Sequence, residues 1–399
     1  MRKKVLISGA SIAGPALAYW LGRRGFEVTV VELAPELRKG GQAVDFRGDT
    51  HLTVLERMGV LDDLRRIQTG GSRMDFVDES GRTRLRLPAE FAGGDIEVLR
   101  GDLARVFHEH SLPYAEYRFG ASITELRQDA DGVQVRFTDG EARTFDLVIG
   151  ADGLHSHVRR LAFGPEERYV RHLGYYVAGW TLPNDLDLGL GPEGGSVGVN
   201  VPGRLASVGA VPRDPHRAGA FFAFSSDQLS YDRHDAEQQK AIVTRAFAGI
   251  GWHVPRLLES LREADDLYFD SISRADVPSW SHGRVALVGD AACGATIGGM
   301  GTGTAVVAAY VLAGELARAD GDHATAFARY ENLLRAYAEG CQAGGDRTGT
   351  FLAPGRVGLR LRDWILSRPR ALAWMLEAGK KVAGVDLPDY DRSGARAAS

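Results

Sequence analysis

Apolar and polar residues alternate along this chain with two different periods. Val5-Leu6-Ile7-Ser8 is an apolar run too short for a helix and reads as a buried strand. Gly9 to Gly14 is a glycine-rich turn, Pro15 to Arg24 carries helical spacing, and Gly25 caps that helix before a strand ending at Glu32. The segment is therefore a right-handed βαβ unit. Its start, Met1-Arg2-Lys3-Lys4 followed by apolar residues to Leu21, imitates a secretory leader. Breaks at Ser8 to Ser11 and at Gly14-Pro15, and direct continuation into the second strand, argue for strand, turn and helix instead. After Gly40-Gly41 an irregular connection leads to helices at Asp49 to Met58 and Leu61 to Ile67. Asp75 to Leu87 alternates as a hairpin, and Arg100 to His110 is an amphipathic helix. A meander over Ser122 to Gln128, Val133 to Phe137 and Arg143 to Phe145 precedes the apolar strand Asp146 to Ile149.

From about Glu166 the pattern changes to strands rich in Tyr, Trp, Phe and Val: Gly174 to Leu182, Ser196 to Val201, Ala206 to Val211 and Gly219 to Phe224. Helices at Ala236 to Gly249 and Pro255 to Glu263 and a strand at Leu267 to Ile272 complete this largely antiparallel region. Arg284 to Val288 returns as a buried strand, and Gly303 to Arg318 is a strongly apolar helix. Ala324 to Gly340 and Arg356 to Val382 are read as helical. The last stretch sets Arg356, Arg360, Arg362, Arg368 and Arg370 beside Leu359, Trp364, Ile365 and Leu366. Such a pattern suits a membrane surface, but packing of the apolar stripe on the protein body is the expected reading.

Composition narrows the classes. At 399 residues the chain has room for two or three domains with real cores. The 48 basic side chains are almost all Arg and scattered singly, which argues against a nucleic-acid partner. Cys293 and Cys341 are too few for a disulfide framework, and a reducing, cytoplasmic setting is expected. His108 with His110, and His155 with His157, are pairs lacking a third ligand, so no metal is expected. No window offers the apolar length of a membrane span.

The candidate chemistry begins at Gly9-x-Ser11-x-x-Gly14, which occupies the strand-to-helix turn of a dinucleotide fold, with Glu32 at the end of the second strand. Gly9 permits the tight turn, Gly14 lets helix and strand approach, and free N–H groups at the helix start suit a pyrophosphate. Glu32 suits the adenosine ribose hydroxyls, which favours FAD or NAD over NADP at this site. Ser11 stands where the middle glycine is usual; it is small, and its hydroxyl can donate to phosphate. A merely structural glycine-rich turn is the competing reading.

Two further motifs follow in order: Gly150-Ala151-Asp152-Gly153 after an apolar strand, and Gly289-Asp290-Ala291-Ala292 after another, with Val98-Leu99-Arg100-Gly101-Asp102-Leu103 between the Gly9 to Gly14 turn and the first of them. Over residues 3 to about 320 the set closely resembles the para-hydroxybenzoate hydroxylase-like, FAD-dependent aromatic monooxygenases, nearest their tetracycline-hydroxylating branch. The resemblance implies an α/β fold with a Rossmann-like FAD-binding domain (1–72, 98–165 and 280–322), an inserted, mainly antiparallel β substrate domain (73–97 and 166–279) and a C-terminal helical region (323–399). It implies that Asp290 binds a ribityl hydroxyl, that Arg100 reaches flavin or pyrophosphate oxygens, and that Asp152, Gly289, Gly301 and Thr302 belong to the cofactor site. Asp45 and Arg47, in a stretch resembling the family's flavin-side segment, are secondary candidates, equally readable as a surface loop. The implied cycle reduces FAD with NADPH or NADH, adds O2 to form a C4a-hydroperoxide and transfers one oxygen to an electron-rich, polycyclic ring. No catalytic base is identified.

Alternation places Tyr176 and Trp180 on one strand face and Phe222 and Phe224 on one face of a neighbour. With Met300 they are the expected roof over the ring, although sheet core describes them equally well. The chain departs from the family in Cys293, where His is frequent, and in having no proline between Asp290 and Gly299. Cys293 is expected to be a small buried thiol rather than a flavin anchor. Other readings are a halogenase, whose W-x-W-x-I-P pattern is missing at Trp180-Thr181-Leu182-Pro183, an oxygen-independent FAD reductase or dehydrogenase, and a nucleotide-sensing module.

Overall fold

The computed structural model describes residues 2–390 except 39–40, 187, 189, 191–194, 213, 296–299, 347–351, 353–354 and 383. A six-stranded sheet runs in the order Ser281–His282, Val285–Leu287, Leu147–Gly150, Lys4–Ser8, Glu27–Glu32, Ala115–Phe119. Every pairing is parallel except the outermost, between Ser281–His282 and Val285–Leu287. Val5, Leu6, Ile7, Val148 and Ile149 are fully buried, because elements cover both faces of the sheet. The helices Ala13–Arg23 and Gly301–Arg318 lie against each other on it, and their small residues Ala16, Ala305 and Ala309 allow close approach.

The second sheet has seven strands in the order Tyr268–Ala275, Val170–Pro183, Asp214–Ser225, Arg204–Val211, Ser196–Val201, Met74–Val77, Thr83–Leu87. It is antiparallel except for the parallel pair Ser196–Val201 with Met74–Val77. One face is covered by the helices Ala236–Phe247 and Val254–Glu263 through Val243, Phe247, Leu257 and Leu261. The other packs on Leu352, Leu366 and Leu372 of the C-terminal segment.

Three elements differ from those the hydrophobic pattern predicts. The expected irregular connection after Gly41 contains the strand Ala43–Phe46, paired antiparallel with Ile96–Leu99 as a two-stranded ribbon. The strand Ala115–Phe119 extends the parallel sheet beside Glu27–Glu32. The stretch read as one helical region from Arg356 is two helices, Arg356–Leu366 and Pro369–Val382. Pro369 lacks an N–H and is tolerated only in a first turn, so it ends one helix and starts the next. Among the described residues no helix is long and apolar enough to cross a membrane.

Candidate active site

The glycine-rich turn is compressed at its two outer glycines. Gly9 has φ +109° and donates its N–H to the Val31 carbonyl at 2.8 Å. A Cβ there would stand 2.5 Å from the Ala151 oxygen, and one on Gly14 would stand 1.8 Å from the Gly9 oxygen. Only hydrogen at both positions lets the helix start, the turn and the Gly150–Asp152 corner close together. Glu32 locks the corner from the neighbouring strand, accepting from the Ala10 N–H at 2.8 Å and the Ala34 N–H at 2.9 Å. Arg100 begins the Arg100–Ser111 helix, donates its backbone N–H to the Gln42 carbonyl at 3.1 Å, and extends Nη2 to within 3.4 Å of Ser11 Oγ.

Asp290 approaches the same cleft from the end of the Val285–Leu287 strand. A Cβ on Gly301 would lie 2.9 Å from its Oδ1, so the carboxyl faces the first turn of the 18-residue helix Gly301–Arg318. Burial pushes the Asp290 carboxyl above its ordinary range, and the Arg100 guanidinium opposes that rise. Gly289, at φ +63°, leaves room for Ala13 and Ala305, each 3.2 Å from where its Cβ would be. Thr302 lies in the first turn of the helix, Met300 caps it at φ +51°, and the Met300 carbonyl accepts from the Thr304 N–H at 3.0 Å. The preceding Gly298 and Gly299 lie outside the described residues. The turn Gly9–Gly14, Arg100, Asp290 and the start of the long helix thus meet in one cleft. Asp45, on the ribbon beside it, pairs with Arg47 at the start of the Gly48–Met58 helix, and Arg47 Nη2 donates to the Phe91 carbonyl at 3.2 Å.

Asp152 and the aromatic strand residues are engaged by other parts of the fold. Asp152 directs both carboxylate oxygens at the start of the His157–Ala162 helix, accepting from Ser156 Oγ and from the Val158 N–H at 3.0 Å. It caps a helix at the corner that lies against the glycine-rich turn. Tyr176, Trp180, Phe222 and Phe224 are at most 4% exposed and form the core under the two covering helices, with Trp180 Nε1 donating to Ser260 Oγ at 3.0 Å. The cleft side of this sheet is the opposite face. There a Cβ on Gly179 would meet Gln42 Nε2 at 2.9 Å, and Tyr175 and Phe221 are half-buried. Alternation does place these four on one face, and the cleft faces the residues one position over. An open cavity of about 500 Å³ bordered by Glu79, Thr83, Leu188 and Trp252 lies at the far edge of the sheet and contains none of the cleft residues.

Sequence reasoning missed His51. Its Nδ1 accepts from the Arg47 N–H at 3.0 Å, which fixes the proton on Nε2, and Nε2 donates to the Tyr337 hydroxyl at 2.7 Å. Burial lowers its pKa to about 4, so it stays neutral. A Cβ on Gly303 would fall 2.1 Å from the ring, which places His51 directly against the start of the long helix. A single histidine on a helix gives no sequence signal. The Cys293 thiol is buried and pushed up by that burial, in keeping with an inert side chain.

His155, just beyond the Asp152-Gly153 corner, joins the two sheets. Nδ1 lies 3.0 Å from Glu166 and Nε2 lies 3.4 Å from Asp270, while Arg233 reaches Glu166 at 3.2 Å. Burial alone would lower its pKa, but hydrogen bonds to Asp270 and Glu166 raise it to about 9. A histidine whose folded value exceeds its unfolded one stabilises fully below about 6.5, and that contribution is lost as pH rises through about 9. The thermal midpoint of the wild-type protein is therefore expected to fall more steeply than that of His155→Gln from neutral pH to about 9, with parallel curves ruling out this role.

Residues 2–348 match the family described as FAD binding domain. A flavin-dependent monooxygenase of Legionella longbeachae is 36% identical over 397 residues, spanning 98% of this chain and 99% of the relative. Among solved structures, tetracycline destructase Tet(55) has a TM-score of 0.84 at 35% identity, with 98% of this chain and 99% of that chain covered. Tetracycline destructase Tet(51) has a TM-score of 0.85 at 32% identity, with 98% and 100% covered.

Proposed function

Because the chain belongs to the FAD binding domain family, as an FAD-dependent aromatic monooxygenase of the tetracycline-destructase branch, we propose that it inserts one oxygen atom into a polycyclic aromatic small molecule and consumes NADPH or NADH. The observation that carries this reading is the convergence of the Gly9–Gly14 turn, Arg100 and Asp290 on the start of the Gly301–Arg318 helix. That cradle fits FAD. The turn, Ser11 and Arg100 would hold the pyrophosphate, Glu32 the adenosine ribose, and Asp290 the ribityl chain. The N–H groups at Gly301 and Thr302 favour an anionic edge of the ring system. When bound, the flavin supplies acceptance of a hydride and activation of O2.

The protein's own share is positioning and exclusion of water. The ribbon Ala43–Phe46 with Ile96–Leu99 and the sheet face bearing Tyr175, Gly179 and Phe221 form the walls that would hold a wide, flat ring. Asp45, Arg47 and Met300 border the same cleft as candidate contacts. The chain offers one dinucleotide fingerprint, so the nicotinamide would donate from solvent without a folded domain of its own. The test is anaerobic flavin reduction by NADPH and by NADH, with and without phenols, quinones and tetracyclic compounds. Acceleration by an extended ring system is expected. Stimulation by monocyclic phenols alone would overturn the substrate size, and substrate conversion without O2 would overturn the monooxygenase reading.

A further inference from the structure

The C-terminal helices bury one apolar stripe and expose another. In Arg356–Leu366 both Leu359 and Leu366 are buried, and Leu366 packs in the cluster formed by Phe76, Leu85 and Leu87. Val357, Leu361, Trp364 and Ile365 recur at helical spacing on the opposite face, with Val357 80% and Trp364 56% exposed. The next helix, Pro369–Val382, repeats the arrangement: Leu372 packs inward and Trp374 is 75% exposed. Seven of the twelve large apolar side chains exposed among the described residues lie between Val357 and Val382. Scattered exposure of this kind needs no explanation, but a concentration on two adjoining helices does.

Charge identifies what covers this face. Residues 356–382 carry seven basic and two acidic side chains, in a chain whose net charge is −4. Arg362 turns inward, its guanidinium 5.3 Å from the Phe76 ring. Arg360, Arg368 and Arg370 are exposed beside the apolar stripe, and the Arg368 guanidinium stands 3.8 Å over the Trp364 ring. Tryptophan and arginine with aliphatic neighbours suit a headgroup boundary, where the rings and stems enter the apolar layer and the cations meet lipid phosphate. A second copy of the chain would bring a like-charged face to this one.

We propose that the outward faces of these two helices form a docking surface for an anionic phospholipid bilayer, lying in its headgroup plane. The FAD-loaded full chain is expected to float with vesicles of phosphatidylcholine and phosphatidylglycerol but not with phosphatidylcholine alone, and to be released by raised salt. Replacing Trp364 and Trp374 together by Ser is expected to abolish flotation while FAD content and thermal midpoint stay unchanged. Quenching of wild-type indole emission by brominated lipid reads the same contact without substitution, since Trp20, Trp180 and Trp280 are buried and Trp252 is half-buried in the cavity at the far edge of the sheet. No flotation with anionic vesicles at low salt, or no quenching, would overturn the proposal. So would a dimer or a protein complex that is lost in the double variant while lipid binding is absent.

Discussion

Gly14→Ala is expected to yield a protein that no longer retains FAD. The added Cβ would sit 1.8 Å from the Gly9 carbonyl oxygen, a backbone atom that no rotamer change can remove. Relief requires the Ala13–Arg23 helix to withdraw from the turn, at an overpacking cost of about 1–3 kcal/mol. The same movement spreads the N–H groups that would cradle the pyrophosphate, and each 1.4 kcal/mol lost there lowers affinity about tenfold. Gly25→Ala is the control. Gly25, unlike Gly14, has a positive φ, +86°, and its Cβ would meet nothing within 4 Å, so backbone strain is introduced without touching the turn. Visible flavin absorbance per protein after reconstitution and desalting separates the two. Full retention by Gly14→Ala would mean that the turn is not where FAD is held.

What could be read in the sequence follows from how many constraints act on a residue at once. The βαβ unit was legible because burial on both faces demands unbroken apolar strands, and because Gly9 and Gly14 stand where any Cβ would collide with backbone. Arg100 and Asp290 were found through the order of motifs, and the fold brings both to the turn from separate elements. The ribbon Ala43–Phe46 with Ile96–Leu99 was invisible, since four residues are too few to establish a period. The strand faces are left undecided by the sequence for a different reason. Both faces of the seven-stranded sheet are covered, one by helices and one by the cleft and the C-terminal helices, so each carries apolar residues. Alternation separates Tyr175 from Tyr176 but cannot say which one meets the helices. His51 and Asp152 carry polar groups whose roles depend on partners far along the chain or on an unusual cap, and neither signal is periodic.

Asp290 and Glu32 are expected to respond in opposite ways in the apoprotein and alike in the holoprotein. Burial raises the Asp290 carboxyl, and a carboxylate whose folded pKa exceeds its unfolded value loses stability as pH rises past the unfolded value. At neutral pH the charge is therefore a burden on the apoprotein, offset in part by Arg100. Asp290→Ala should leave the apoprotein's thermal midpoint unchanged or higher. Glu32→Ala instead frees the N–H groups of Ala10 and Ala34, and should lower that midpoint. With FAD present both variants lose a charge-assisted hydrogen bond of about 1.5–3 kcal/mol, which raises the FAD dissociation constant roughly 10- to 150-fold. The two halves of the experiment are scanning of apoprotein stability and titration with FAD. An unchanged FAD dissociation constant for Asp290→Ala would remove that residue from the cofactor site. A lowered apoprotein midpoint for the same variant would make it a structural carboxylate, since only a group held in place for an absent partner improves the empty protein when deleted.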